Sequence, residues 1–343
     1  MRATVIHAPF DIRLNDVPDT GLQDPTDALV RVVASCICGS DLWPYRGENP
    51  VPEPRRIGHE FVGVVEAVGA DVRTVKVGDF VVAPFTFSDG TCPNCLAGVQ
   101  SACVNGTAWG AGGFDGAQAE AVRVPFADGT LVATPTNPAD ELVPSLLALS
   151  DVMATGWHAA VAARVQPGQT VVVVGDGAVG LSGVLAASRM GAERVVAMSR
   201  HASRQALARE FGATDVVAAR GEEAVAAVRE LTDGVGADAV LECVGTGESM
   251  TTAIESARAG ATVGYVGVPH GVELPIRTMF SNNVAVAGGV APVRRYLPQL
   301  MDDVLSGAID PGLVFDLTLP LAEVAEGYTA MHERRAIKTL LRP

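Results

Sequence analysis

The 343-residue chain has no apolar run approaching the ~20 residues a helix needs to cross a bilayer, which removes a membrane-spanning helix from consideration. Basic residues are also scarce. Lys and Arg total 25 against 39 Asp and Glu, a net charge of −14, so the long-range field repels phosphate and argues against a nucleic-acid or anionic-membrane partner. There is no internal repeat and no low-complexity tract. The opening MRATVIHAPF carries neither a secretory apolar segment nor an Arg/Ser-rich transit peptide, and these absences predict a cytoplasmic protein. What remains is 48% hydrophobic and 19% charged, a soluble globular profile, and the length suits two domains of ordinary size. Six cysteines are present, at 36, 38, 92, 95, 103 and 243, and in a cytoplasmic chain their close spacing favours metal over disulfides.

The strongest local signal is TVVVVGDGAVG, residues 170–180. Thr170 to Val174 read as a strand buried on both faces, and helical periodicity starts at Ala178. Between them lies Gly175-x-Gly177-x-x-Gly180. In such a strand–turn–helix unit the first glycine makes the tight turn, the second admits a pyrophosphate, and the third allows close packing of helix on strand. Free N–H groups at the helix start then face the phosphates. Further strands read at 194–199, 215–219, 237–245, 261–267 and 284–289, with helices between, which makes six strands of a doubly wound parallel sheet.

Residues 1–150 read differently, as short strands at 28–35, 61–69, 79–85 and 117–125 punctuated by Pro50, Pro52, Pro54, Gly78, Gly90 and Gly129. This pattern suggests a small barrel-like antiparallel domain. Cys38-Gly39-Ser40-Asp41 and Gly58-His59-Glu60 offer a thiolate and an imidazole at strand ends, the ligand types zinc prefers. Taken singly, such a Cys is also an ordinary core residue, and such a His an ordinary turn residue.

Together these motifs make the chain resemble the zinc-dependent alcohol dehydrogenases of the medium-chain dehydrogenase/reductase superfamily. Gly58-His59-Glu60-x-x-Gly63-x5-Gly69-x2-Val72 matches that family's zinc signature at every fixed position, and Cys38-Gly39-Ser40-Asp41 matches its first-ligand motif. The resemblance covers essentially the whole chain. It implies an α/β fold, with a GroES-like β-barrel catalytic domain (1–150), a Rossmann doubly wound parallel sheet (151–290) and a return to the catalytic domain (291–343). It also implies that Cys38, His59 and Asp151 bind a catalytic zinc, with Glu60 as an alternative fourth ligand and Ser40 as acceptor of the alcohol's proton. Asp151 could instead cap a helix. The family's structural zinc lobe has C-x2-C-x2-C-x7-C spacing, which places Asp89, Cys92, Cys95 and Cys103 on its four positions, with Asp89 in place of the first Cys. Zinc accepts carboxylate oxygen, although Asp89-Gly90 also reads as a turn. About two zinc ions per chain are expected.

The cofactor implied is a nicotinamide dinucleotide, contacted by Thr155, Gly175, Gly177, Ala178, Val179, Gly180, Val244 and Val266. NAD enzymes place an acid about 20 residues beyond the fingerprint to bind the ribose 2′-OH. Nineteen residues past Gly180 stands Ser199, then Arg200 and, one turn on, Arg204, a hydroxyl and guanidinium set suited to a phosphate monoester. NADP is therefore favoured over NAD.

The reaction expected is reversible hydride transfer between a secondary or primary alcohol and NADP, giving the ketone or aldehyde, by a homodimer or homotetramer. A zinc-free quinone or enoyl reductase, and a non-catalytic dinucleotide-binding protein on the same scaffold, are the alternatives. One departure stands out: the family often places a His five residues after the Cys ligand to pass the proton to solvent, and here that residue is Trp43. Cys36 is expected in the core and His332 on a solvated helix surface.

Overall fold

The computed structural model describes residues 1–49 and 54–343, so Pro50 and Pro52 lie outside the described residues. The chain forms two compact units. One comprises Met1–Asp151 with Pro292–Pro343, the other Val152–Ala291. Among the described residues no helix is long and apolar enough to cross a membrane.

The first unit is built around the strand Ala28–Cys36, whose residues Ala28, Val30, Val32 and Ala34 are buried as a period of two requires. It pairs antiparallel with Phe61–Val68, with Ala121–Val124 and, at its far end, with the last strand, Lys338–Arg342, which sets Leu340 opposite Cys36. Phe80–Ala83 extends the sheet beside Phe61–Val68. Val30, Val32, Phe61, Val65, Val81 and Trp109 fill the core it encloses. The strand expected at 117–125 is confined to Ala121–Val124, because Ala117 and Gln118 instead pair with the Ile57–Gly58 backbone.

A hairpin the sequence reading did not find, Arg2–Ala8 with Asp11–Asp16, precedes this sheet. It turns through Phe10, held at φ 59°, whose ring meets Tyr45 edge-on at 5.1 Å. The same hairpin pairs with Arg55–Arg56, which steers the chain into Gly58-His59-Glu60. His332, expected on a solvated surface, is half-buried in this aromatic group. Its ring lies 5.3 Å from Phe10, and its Nδ1 accepts from Arg46 Nε at 3.1 Å. Cys36 is fully buried.

The second unit is a six-stranded parallel sheet. Its spatial order is Asp215–Val217, Arg194–Met198, Thr170–Val174, Ala237–Glu242, Ala257–Tyr265, Ala285–Gly288. The fifth strand begins four residues before the expected position 261. Thr170–Val174 lies centrally, and its four valines are buried as a strand covered on both faces demands. The helix Ala178–Arg189 follows the turn directly.

Candidate metal centres and nucleotide-binding turn

Two groups of metal-ligating side chains converge in the first unit. In each, one candidate ligand atom per residue lies within 4.8 Å of all the others: Cys38, His59, Glu60 and Asp151 in one, Asp89, Cys92, Cys95 and Cys103 in the other.

In the first group Cys38 ends the loop after Ala28–Cys36 and opens the short helical turn Gly39–Asp41, while His59 and Glu60 immediately precede Phe61–Val68. Asp151 Oδ2 stands 3.6 Å from Cys38 Sγ and 3.5 Å from His59 Nε2. Glu60 Oε1 lies 4.0 Å from the same ring nitrogen. Glu60 is completely buried, and its Oε2 has no hydrogen-bond partner, a costly arrangement unless something electropositive meets it. Burial, with the Asp151 charge adjacent, pushes the Cys38 thiol up. Burial also raises Glu60, against the pull of Lys338. Burial would lower His59, but the Asp41 and Cys38 charges outweigh it and hold the imidazole well above its usual range. Crowded anionic donors that resist ionising together, one of them a carboxylate with an orphaned oxygen, form a donor set suited to a divalent cation, and the sulfur and imidazole among them suit zinc.

A second layer orients these groups, and the sequence reading missed it. Asp41 Oδ1 lies 3.5 Å from His59 Nδ1, the ring nitrogen facing away from Asp151, and Asp41 Oδ2 accepts from the Cys38 N–H at 3.0 Å. Such a carboxylate fixes ring orientation and ligand basicity. Gln118, fully buried, donates to the Cys36 carbonyl at 3.0 Å and accepts from the Tyr328 hydroxyl at 3.2 Å. Only the adjacency of Asp41 to Cys38 in the sequence hinted at this.

Lys338 was equally illegible, a lysine in AIKTLLRP that looks solvated. The last strand is buried on both faces from Lys338 to Leu341, and Lys338 is 1% exposed, with Nζ 2.7 Å from Glu60 Oε1 and 3.2 Å from the Ile37 carbonyl. Removing one partner of a buried pair strands the other charge, at a cost of about 3–5 kcal/mol. Lys338→Met is therefore expected to lower the urea-unfolding free energy by about that much, and Glu60→Gln added to it should restore a large part. A single variant as stable as the parent would remove the pair from the account.

The second group sits on a lobe of turns. Cys92 precedes the short helix Pro93–Leu96, which carries Cys95, and Cys103 follows the turn Gln100–Ala102. All three cysteines are buried, unpaired as disulfides, and packed mainly on one another, with Cys92 Sγ 3.9 Å from Cys103 Sγ. Asp89 Oδ1 accepts from the Thr91 and Cys92 N–H groups at 2.8 and 2.9 Å, and Oδ2 accepts from Asn105 at 2.7 Å. Partial burial raises its pKa, but these donors outweigh it and keep the carboxyl ionised to well below the usual range. Burial, with Cys92 and Cys103 alongside, pushes the Cys95 thiol up to about 12. The turn and the metal-ligand readings of Asp89 thus coexist in one geometry.

In the second unit the fingerprint glycines divide by role. Gly175 takes φ +117°, and a Cβ on Gly180 would stand 2.0 Å from the Gly175 carbonyl oxygen, so both are required by the fold. At Gly177 a Cβ would meet nothing within 4 Å. Among the described residues nothing demands that glycine, and in dinucleotide fingerprints the glycine at this position is the one that lets a pyrophosphate approach. Gly177 also caps Ala178–Arg189 without any side-chain hydrogen bond, leaving the first-turn N–H groups open to an anion. Ala178 and Val179 are half-buried and Thr155 is buried in the helix Val152–Ala162; Val244 is exposed and Val266 half-buried. Of the residues expected to meet a 2′-phosphate, Arg200 is exposed, whereas Ser199 and Arg204 are already engaged by the Asp176 carboxylate.

The alcohol dehydrogenase GroES-like domain family matches residues 24–136, and the zinc-binding dehydrogenase family matches residues 178–306. Over its whole length the chain is 39% identical to a probable zinc-binding alcohol dehydrogenase of Mycobacterium tuberculosis, of which it covers 89%. It is 34% identical, again over its whole length, to zinc-type alcohol dehydrogenase B of Aspergillus flavus, of which it covers 81%. It superposes on an alcohol dehydrogenase of Thermus sp. ATN1 with a TM-score of 0.93 and 35% identity, spanning all of this chain and 99% of that one. With the GroES-like and Rossmann-type units, the fingerprint turn and the two ligand groups in place, the chain belongs to the zinc-dependent alcohol dehydrogenases of the medium-chain dehydrogenase/reductase superfamily, and is an oxidoreductase.

Proposed function

We propose that this oxidoreductase transfers hydride reversibly between a secondary or primary alcohol and NADP, giving the ketone or aldehyde. The observation that carries the reading is the convergence of one sulfur, one imidazole and two carboxylates, one of which, Glu60, is buried with its Oε2 unpartnered. Cys38, His59 and Asp151 would hold the catalytic zinc, with Glu60 as the alternative ligand, and Asp89, Cys92, Cys95 and Cys103 a structural one. The catalytic metal supplies Lewis acidity, which lowers the pKa of an alcohol hydroxyl towards neutrality.

The chain's own groups do the rest. Ser40 takes the alcohol's proton. It lines a cavity of ≈ 190 Å³ together with Asn49, Arg55, His59 and Trp109. Asp41 keeps the His59 ring turned towards Asp151. With Trp43 where the family often has His, the proton leaves through water, and the indole narrows the alcohol pocket. On the nucleotide side, Gly175, Gly177 and the helix start at Ala178 and Val179 cradle the pyrophosphate, while Thr155, Val244 and Val266 serve the nicotinamide half. Arg200, exposed and without an ion pair among the described residues, is the cation for a 2′-phosphate.

The test is a panel of aliphatic, cyclic and aryl alcohols and carbonyls with NADP and NAD, on enzyme of measured zinc content and native mass. Expected are turnover abolished by a chelator and restored by zinc, a lower KM for NADP, and a dimer or tetramer. Turnover indifferent to chelation would replace this reading with a zinc-free quinone or enoyl reductase. Dinucleotide binding without turnover on any substrate would leave a non-catalytic binding protein.

A further inference from the structure

The variable position inside the first half of the fingerprint, Gly175-x-Gly177, is filled by an aspartate. Thr170–Val174 and Arg194–Met198 are neighbouring parallel strands in register, Val174 beside Met198, so the residues that follow them emerge side by side at one end of the sheet. Asp176 there reaches across to Ser199. Its Oδ2 accepts from the Ser199 hydroxyl at 2.8 Å, and its Oδ1 accepts from Arg204 Nη1 at 3.2 Å. The same arginine nitrogen also lies 3.2 Å from the Asp176 carbonyl oxygen. The ion pair is largely sheltered, the Arg204 and Asp176 side chains being 14% and 21% exposed, and Ser199 is 3% exposed.

We propose that Asp176 is a specificity-determining residue that holds down the preference for NADP and keeps NAD usable. The acid that NAD-dependent folds usually carry at the end of the second strand is absent from this sequence, and Asp176 brings a carboxylate to the same place from the turn before it. Ser199 has a single hydroxyl proton, and it is given to Asp176, so Ser199 cannot also donate it to a phosphate. Arg204 is neutralised by the same group. A 2′-phosphate at this end of the sheet meets a like charge, offset by Arg200, whereas a ribose 2′-OH finds an acceptor. This inference rests on the proposed binding of a nicotinamide dinucleotide in the second unit.

The experiment compares the parent enzyme with Asp176→Ala and Asp176→Asn. One readout is the ratio of kcat/KM for NADP to that for NAD. The other, independent of zinc and of turnover, is calorimetric binding of 2′,5′-ADP against 5′-AMP. In both variants the ratio is expected to rise at least ~10-fold towards NADP, equivalent to ~1.4 kcal/mol, with 2′,5′-ADP binding tighter and 5′-AMP weaker. An unchanged ratio in both readouts overturns the inference and leaves the cofactor reading standing. A fall towards NAD overturns it as well, since Asp176 would then be presenting Arg204 to the phosphate. If neither fragment nor either dinucleotide binds the parent enzyme, the cofactor reading fails and takes this inference with it.

Discussion

His59→Ala or Cys38→Ser is expected to lower kcat/KM by at least ~10³-fold, which corresponds to a transition-state loss of about 4 kcal/mol. Zinc content should fall from about two ions per chain to about one. The effect is large because the Lewis acid and its placement would disappear together. Lys338, the nearest cation to Glu60, is committed to that carboxylate and to the Ile37 carbonyl. Asp151→Asn is a milder probe, since it preserves shape while removing an anionic donor 3.5 Å from His59 Nε2 and 3.6 Å from Cys38 Sγ. Loss of one zinc with activity in this variant supports ligation by Asp151, whereas full zinc and full activity would return it to a helix-capping role. Acid should mimic these losses. Burial and the Asp151 charge hold the Cys38 proton to higher pH in the metal-free chain, so metal binding must release it and weakens as pH falls. Activity and zinc content measured across a pH series on each variant check both statements.

The parts of this site that could be read from the sequence are those whose chemistry is local. Gly58-His59-Glu60 and Gly175-x-Gly177-x-x-Gly180 each pack a required donor or backbone geometry into a few consecutive residues, so spacing alone locates them. Cys92, Cys95 and Cys103 are legible for the same reason. Residues that act across the fold are not. Lys338 reaches Glu60 only because the last strand lies antiparallel to Ala28–Cys36, with Leu341 opposite Ser35, and nothing within AIKTLLRP announces that register. Gln118 and Tyr328 meet near Asp41 from positions 210 residues apart. Asp176 was visible as a letter in the fingerprint, but its grip on Ser199 and Arg204 depends on two strands being neighbours in register, which is a tertiary fact. The N-terminal hairpin was missed because His7 and Pro9 interrupt the apolar pattern, while its pairing with Arg55–Arg56 supplies what the local sequence does not.

Cys95→Ser should cost the second zinc and unravel the lobe it organises, while the first metal group stays intact. Between Thr86 and Ala108, which form one isolated bridge, the chain has no strand, only short helical turns. Leu96, Val99 and Val104 point into solvent, so the lobe's interior consists of the thiols themselves. With so little apolar area buried, a metal held by this group would be the main source of order, as in small zinc modules, where binding contributes about 10–16 kcal/mol. Here Phe87 and Trp109 anchor both ends in the barrel core, so the loss is local first, with global destabilisation of at least ~3 kcal/mol. Hydrogen exchange should rise sharply over residues 89–106, with zinc falling by one ion per chain. Unchanged exchange and zinc content would remove the structural site. Asp89→Asn then separates the two roles of that residue. The amide oxygen can still accept from the Thr91 and Cys92 N–H groups, so the turn survives, while the anionic donor is gone. Weaker zinc binding with the turn still protected identifies Asp89 as the fourth ligand, and unaltered affinity restricts it to shaping the turn that presents the three thiols.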